Sequence, residues 1–262
     1  MQYALVDGVR QKPYSKGKGQ CPGCGKDVIA KCGTRKIHHW AHVNHDNCDQ
    51  WWENETQWHR SWKALFPENW QEITHRDISG EIHRADIKTE QGIIVEIQNS
   101  PMIDNERVSR EEFYQNMVWI LNGDKFRNNF HIYHPLPDPN SKLGIDLRWR
   151  KSVHRLPGTT RGMCTRLSDE TDIPGSGVPL YAYNSFKEEI DSLYTGYHQF
   201  DWVKPRSTWL ESTKPVFIDF GEDTLVKIEV YGWQQLVCIR KISKSQFITD
   251  VITMQDAMLI GC

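Results

Sequence analysis

The sequence has no apolar run approaching the roughly 20 residues a helix needs to cross a bilayer, so a helical membrane span is not expected. It also lacks an excess of either charge. With 32 Lys+Arg against 34 Asp+Glu the formal net charge is -2, which leaves no bulk positive field to hold a polyanion, and any nucleic-acid site must be local. The first residues, Met1-Gln2-Tyr3-Ala4-Leu5-Val6-Asp7, have neither the basic start nor the long apolar stretch of a signal peptide, which points to a reducing cytoplasm. Internal repeats and low-complexity tracts are missing too. At 262 residues the chain can bury a real core without disulfide staples, so it is no peptide-sized module.

Cysteine, by contrast, is present and concentrated. Seven is an odd count, and four of the seven, Cys21, Cys24, Cys32 and Cys48, fall in one short His-rich segment, where metal is a more economical explanation than disulfides. Cys21-Pro22-Gly23-Cys24 is a tight knuckle that turns both sulfurs toward one ion. His39-Trp40-Ala41-His42 offers a second pair, and two thiolates with two imidazoles complete a closed, structural Zn2+ site. Cys32, His38, His45 and Cys48 compete as ligands, and Cys48 could replace either His. From Met1 to about His45 eight basic residues face two acidic ones, in a segment too poor in apolar side chains to fold alone. Metal binding would supply much of its folding free energy.

Beyond this segment the spacing of Trp51, Trp58, Trp62 and Leu65 predicts a helix over 51–66, stopped by Pro67. Strands are expected at Trp70–Thr74, His83–Lys88 and Ile93–Gln98, separated by the turn-like Asp77-Ile78-Ser79-Gly80 and Thr89-Glu90-Gln91-Gly92. A second helix over 104–116 and a buried strand, Met117–Leu121, complete the order α-β-β-β-α-β. After Phe130 come Pro-, Gly- and Ser-rich connections, then strands at Val216–Phe220, Leu225–Val230 and Leu236–Arg240. Arg148, Arg150, Lys151, Arg155, Arg161 and Arg166 lie in a stretch without a carboxylate; with Trp149 they could grip a phosphate backbone and stack on bases, or simply form a solvated basic loop.

His83-Arg84-Ala85-Asp86-Ile87, a turn, and Ile93-Ile94-Val95-Glu96-Ile97-Gln98 put acids on adjacent strands. Alternation places Glu96 and Gln98 on one face, and a register that brings Asp86 to that face makes a site for Mg2+ or Mn2+, the cation that would activate water against a phosphodiester. Glu55, His59 and Lys63, spaced i, i+4 and i+8, form a polar stripe that could deliver Glu55 to the metal, with His59 or Lys63 orienting water or phosphate. A plain solvent-facing ladder is the alternative. Arg107, Arg110 and Tyr114 share one side of the second helix, where the arginines either contact phosphates or pair with Glu106 and Glu111.

Ala4-Leu5-Val6-Asp7-Gly8, the Cys21–Cys24 knuckle, His39-Trp40-Ala41-His42, Glu55-x3-His59-x3-Lys63, and Arg84-Ala85-Asp86 leading to Glu96-x-Gln98-x-Ser100 together resemble the competence protein CoiA-like nucleases, within the PD-(D/E)XK or restriction-endonuclease-like superfamily. The likeness runs from the start to about residue 135, and more weakly through Lys214–Gly221. It implies Asp86 and Glu96 as metal ligands, Glu55 as the helix-borne acid, and Gln98 where the superfamily usually carries Lys. An amide can hold a water but cannot acidify it through charge, so Lys63 could return the missing cation.

The expected architecture is α/β (α+β): a zinc-ribbon-like module over 1–50, an α-β-β-β-α-β restriction-endonuclease-like core over 51–135 and a C-terminal accessory region over 136–262. The expected activity is that of a cytoplasmic, Mg2+- or Mn2+-dependent deoxyribonuclease acting on DNA in transformation, recombination or phage defence, with a homo-oligomer or recombination and defence proteins as candidate partners. Two rivals stand beside it. One is a DNA-binding factor that kept the fold and lost hydrolysis; the other is an interaction scaffold for which zinc matters and nucleic acid does not.

Overall fold

A computed structural model describes residues 1–44, 48–49, 51, 55–76, 80–155, 161–171, 177–203 and 207–253. The chain divides into two units: one holds residues 1–122, 212–214 and the end of the chain from 248, the other residues 123–211 and 215–247. Both mix strands with a few short helices, and sheet dominates. No helix among the described residues is long and apolar enough to cross a membrane.

The first unit opens with five short strands, β1 (Ala4–Val6), β2 (Val9–Gln11), β3 (Lys18–Gln20), β4 (Asp27–Lys31) and β5 (His39–His42), paired antiparallel in the order β2-β1-β3-β4-β5. Its apolar core is small: Met1, Ala4, Cys21, Val28 and Trp40 are buried together. So little apolar surface cannot offset the entropy of ordering the strands, and this small sheet leans on the segment around Gln71 and Glu72 in the same unit. Tyr3 Oη donates to Gln71 Oε1 at 3.1 Å and the Gln2 backbone N–H donates to Glu72 Oε2 at 2.8 Å, while Arg10 donates to the Gln71 carbonyl.

Next come α1 (Gln57–Lys63), a turn of 3-10 helix at Glu68–Trp70, then β6 (Gln71–Arg76), β7 (Ile82–Lys88), β8 (Ile94–Gln98), α2 (Asp104–Tyr114) and β9 (Met117–Asn122). The strands lie in the order β9-β8-β7-β6, with β8 parallel to β9 and the rest antiparallel. β8 is buried at every position, as a strand flanked on both edges and covered on both faces must be, so the hydrophobic alternation expected there is absent. The parallel step is made by α2, whose length supplies the crossover that parallel neighbours require.

The first helix is shorter than the apolar spacing predicts. It begins at Gln57 because Thr56 caps it: Thr56 Oγ1 accepts from the His59 N–H at 3.3 Å, and the His59 ring returns a bond to the Thr56 backbone N–H, a capping box with His in the third position. Trp51 and Glu55 therefore lie outside the helix, Trp52, Glu53 and Asn54 lie outside the described residues, and Leu65 is exposed; the face that packs inward carries His59, Trp62 and Lys63. The Asp77-Ile78-Ser79 part of the expected turn is also outside the described residues.

The second unit contains β10 (Phe130–Pro137), α3 (Lys142–Asp146), β11 (Leu147–Trp149), β12 (Met163–Arg166), β13 (Tyr181–Ala182), α4 (Lys187–Ser192), β14 (Tyr194–Trp202), α5 (Ser207–Leu210), β15 (Val216–Asp219), β16 (Thr224–Tyr231) and β17 (Leu236–Ser243); α6 (Lys244–Thr253) follows. β10, β14, β17, β16 and β15 neighbour one another antiparallel in that order, and β11-β12-β13 make a separate small sheet. Trp149, expected as a surface for stacking bases, is instead 6% exposed and packed in a core with Leu136, Leu147 and Tyr231. Of the basic stretch, Arg166 pairs with Asp146 at 2.7 Å and Arg148 with Glu170 at 3.2 Å.

Candidate metal centre and carboxylate site

Cys21, Cys24, His42 and Cys48 bring one ligand atom each within 4.8 Å of the others, and among the described residues no other group of three or more Cys, His or acidic side chains does so. Two separations print the shape: Cys21 Sγ to Cys48 Sγ is 3.7 Å and Cys24 Sγ to His42 Nε2 is 3.3 Å. A tetrahedron with Zn–S bonds of about 2.3 Å has S···S edges of roughly 3.8 Å, so the cluster fits zinc as a closed Cys3His site. Hydrogen bonding with Cys48 pushes the Cys21 thiol down to about 4, against the opposing effect of its burial, while the Cys48 thiol is pushed up in return. One thiolate is stabilised by its neighbours' S–H and N–H groups, the condition that a cation would extend to all three.

His39 does not belong to this cluster, which corrects the expected ligand set. On a strand, neighbours alternate faces, so residues three apart point to opposite sides; β5 turns His42 toward the cysteines and His39 away. The His39 ring donates from Nδ1 to the Ile37 carbonyl at 2.8 Å instead. Cys48 supplies the fourth ligand. His45, another rival, lies outside the described residues, and neither Cys32 nor His38 joins the group. The knuckle itself seats on the core strands: a Cβ at Gly23 would come within 3.2 Å of methyl groups of both Ile82 and Thr74, a tight approach that glycine eases.

The second site lies where β7 and β8 part. Their ladder pairs Lys88 with Ile94 and Ile87 with Val95. One step further the backbone bonds are replaced by side chains: the Asp86 N–H donates to Glu96 Oε1 at 3.3 Å, and the Ile97 N–H donates to Asp86 Oδ2 at 2.9 Å. Two carboxylates thus face each other across a split ladder. They line a polar cavity of about 60 Å³, room for a few waters, together with Glu55, Glu72, His59, Lys63 and Arg110.

Lys63, fully buried, holds three acids at once: Asp86 Oδ1 at 2.9 Å, Glu55 Oε1 at 3.0 Å and Glu72 Oε1 at 3.3 Å. Burial alone would neutralise it, but the charges of Asp86, Glu72 and Glu55 outweigh that and raise its pKa. Burial likewise works to raise Asp86, and the Lys63 charge overcomes it and keeps that carboxyl below its usual range. Glu96 goes the other way: burial, then the Asp86 charge, pushes it up to about 8 despite Arg110 Nη1 at 3.0 Å from Oε2. Each of the four Asp86 and Glu96 oxygens has one protein donor and can accept one more partner. Hard, oxygen-only donors with spare lone pairs, in a pair that repels itself, fit Mg2+ or Mn2+.

Several expected residues play other parts. Glu55 lines the cavity but precedes the helix cap and is occupied by Lys63 and by Arg60 Nε at 2.8 Å; the ammonium stands between it and Asp86. His59 accepts at Nδ1 from Thr56 N–H at 3.2 Å and pairs with Thr56 Oγ1 at 2.9 Å, which leaves the proton of the neutral ring on Nε2. Gln98 is buried beyond the cavity wall, its amide donating to the Ser100 carbonyl at 2.9 Å. Arg107 and Arg110 are buried and paired, with Glu111 at 2.7 Å and with Glu106 at 2.6 Å.

Glu72 is the acid the sequence did not flag. Its backbone takes φ 48°, a left-handed conformation that strains a non-glycine residue, and its carboxylate meets Lys63, the Gln2 N–H and, at 3.9 Å, Arg84. Periodicity gave no signal for a buried acid there. Asp49 was missed as well: Oδ1 lies 3.0 Å from His83 Nδ1 and Oδ2 accepts from the Arg84 N–H at 3.2 Å.

Residues 9–50 match the family model described as competence protein CoiA, N-terminal domain. No curated protein and no solved structure matches the chain. The match covers β2 to β5 and the four residues of the Cys/His cluster but not β1, and the competence-protein likeness of that segment is thereby supported; the carboxylate site lies beyond it.

Proposed function

We propose that this protein is a divalent-metal-dependent deoxyribonuclease of the CoiA kind, working on DNA in the cytoplasm during transformation, recombination or phage defence, with zinc as a structural metal. The observation that carries the reading is the split ladder: Asp86 and Glu96 facing each other in a buried polar cavity with Lys63 and His59 at its wall. The order α1, β6, β7, β8, α2, β9, with β8 and β9 parallel, is compatible with a restriction-endonuclease-like core. Zinc ligation by Cys21, Cys24, His42 and Cys48 is part of the proposal.

Asp86 and Glu96 would hold Mg2+ or Mn2+, which supplies positive charge against the scissile phosphate and makes water more acidic. The chain's own residues do the rest. Lys63 keeps Asp86 ionised and places a cation beside the reacting phosphate, the charge that Gln98 cannot provide. Glu55 and Glu72 hold the ammonium in place, and the Thr56 cap fixes the His59 ring at the cavity wall. Arg110 orients Glu96 from behind.

Incubation of the zinc-loaded protein with linear, circular and single-stranded DNA in Mg2+, Mn2+ or neither tests the proposal. Cleavage requires added metal and falls by at least about 100-fold in Glu96→Gln; equal cleavage by that variant refutes the assignment. A second reading, a DNA-binding factor without hydrolysis, is favoured by one observation, the turning of Gln98 to the Ser100 carbonyl. It is distinguished by tight DNA binding with no cleavage under any metal.

A further inference from the structure

Beside the carboxylate cavity lies a second pocket of about 320 Å³, bounded by Arg35, Lys36, Ile37 and His39 of the β4–β5 connection and β5, and by Glu55 and Arg60. The volume is at the low end for small-ligand sites, the size of one nucleotide. Three permanent cations face one carboxylate, in a chain whose overall charge is slightly negative. Glu55 belongs to the walls of both pockets, so the two adjoin.

The pocket is held open by its own bonds. Arg60 ties the loop to the helix, with Nη2 donating to the His38 carbonyl at 2.6 Å and Nε to Glu55 at 2.8 Å. The His39 ring is fixed at the wall by its bond to the Ile37 carbonyl. Arg35 and Lys36 are exposed, and neither makes an ion pair or side-chain hydrogen bond with another described residue. Two unpaired cations beside a preformed pocket that already contains a third are what a phosphodiester requires.

We propose that this pocket is a subsite for the nucleotide next to the scissile phosphate, with Arg35 and Lys36 contacting strand phosphates; this rests on the nuclease reading of the adjacent carboxylates. The zinc-bearing segment then serves as one wall of the substrate groove as well as a staple for the fold. The cations that line the pocket suit the phosphate backbone, a contact that carries no sequence information. The loss of His39 from the metal cluster has its counterpart here: β5 sends alternate residues to two tasks, His42 to zinc and His39 to the strand.

The test is fluorescence anisotropy of the zinc-loaded full chain with a labelled single-stranded oligonucleotide of mixed sequence, with no Mg2+ or Mn2+ added so that binding is read without cleavage. The double variant Arg35→Ala, Lys36→Ala weakens binding roughly tenfold and makes the slope of log K against log salt shallower by about 1.4, the value for two lost phosphate contacts on a single strand. The Arg35→Lys, Lys36→Arg variant retains both. Wild-type affinity and slope in the alanine variant overturn the subsite, as does a wild-type protein that fails to bind the oligonucleotide at 50 mM salt, about the low end of the usual range. The two proposals fail separately. A protein that binds through Arg35 and Lys36 but cuts nothing in either metal keeps the subsite and loses the nuclease, and one that cuts DNA with indifference to both residues does the reverse.

Discussion

Arg110 grips Glu96 with one guanidinium nitrogen, Nη1 to Oε2 at 3.0 Å, while its other terminal nitrogen donates to the Trp51 carbonyl at 2.9 Å. Trp51 in turn stacks on His83, which Asp49 holds at 3.0 Å, and Asp49 directly follows the proposed zinc ligand Cys48. The chain of contacts ties the metal centre to the carboxylate that faces Asp86. Zinc loss is therefore felt at both places: removing it, or making Cys48→Ser, lowers stability by more than about 3 kcal/mol and lets proteases cut near residue 50, whereas His39→Ala keeps one zinc per chain. Zinc content and denaturant titration check this.

Lys63 is buried among three carboxylates. Lys63→Met leaves Glu55, Glu72 and Asp86 buried without their common partner, a loss of about 3–5 kcal/mol that urea unfolding measures. The triple variant that also neutralises Glu72 and Glu55 to Gln recovers most of that stability without restoring DNA cleavage.

Acid stability follows from Glu72. Burial acts to raise its pKa, but the charges of Lys63 and Arg84 overcome this and hold it well below the usual carboxylate range. A carboxyl depressed in the folded state contributes fully above its unfolded value of about 4.3 and loses that contribution as pH falls toward the folded value. Glu72→Gln thus lowers stability at pH 7 and flattens the acid limb below about pH 5, as thermal unfolding across pH reports.

Trp149 and its arginine neighbours separate packing from binding. Trp149→Ala costs about 3–5 kcal/mol through the cavity it leaves, and Arg148→Ala with Arg150→Ala stays within about 0.5 kcal/mol of the parent. DNA affinity of Trp149→Phe, measured by anisotropy, equals that of the parent, because the ring is not on the surface.

Much of the core was legible because its signals are local. The strands β6, β7 and β8 and the helix α2 lie within a few residues of their expected bounds, since turn residues and alternation mark them directly. The helix start was misplaced because the Trp spacing continues past Thr56, and a capping box ends what hydrophobic period alone would extend. The metal knuckle was visible in Cys21 and Cys24, but choosing between His39 and Cys48 needed the strand to be known as a strand. Glu72 and Asp49 could not be read at all, because each gains its place from a long-range contact, with Lys63 and with His83, that no local pattern encodes. For Arg110 the i,i+4 pair with Glu106 was legible on the helix, but its contact with Glu96 was not.

The most direct test is Mn2+ binding to the zinc-loaded protein, followed by titration calorimetry at pH 7.5 or so and by the spin-resonance signal of free Mn2+. The expected result is one Mn2+ per chain beyond the zinc, lost in Asp86→Asn and in Glu96→Gln while Cys48→Ser affects zinc first. Undiminished Mn2+ binding in both carboxylate variants, or none in the parent, would contradict a cation held between Asp86 and Glu96.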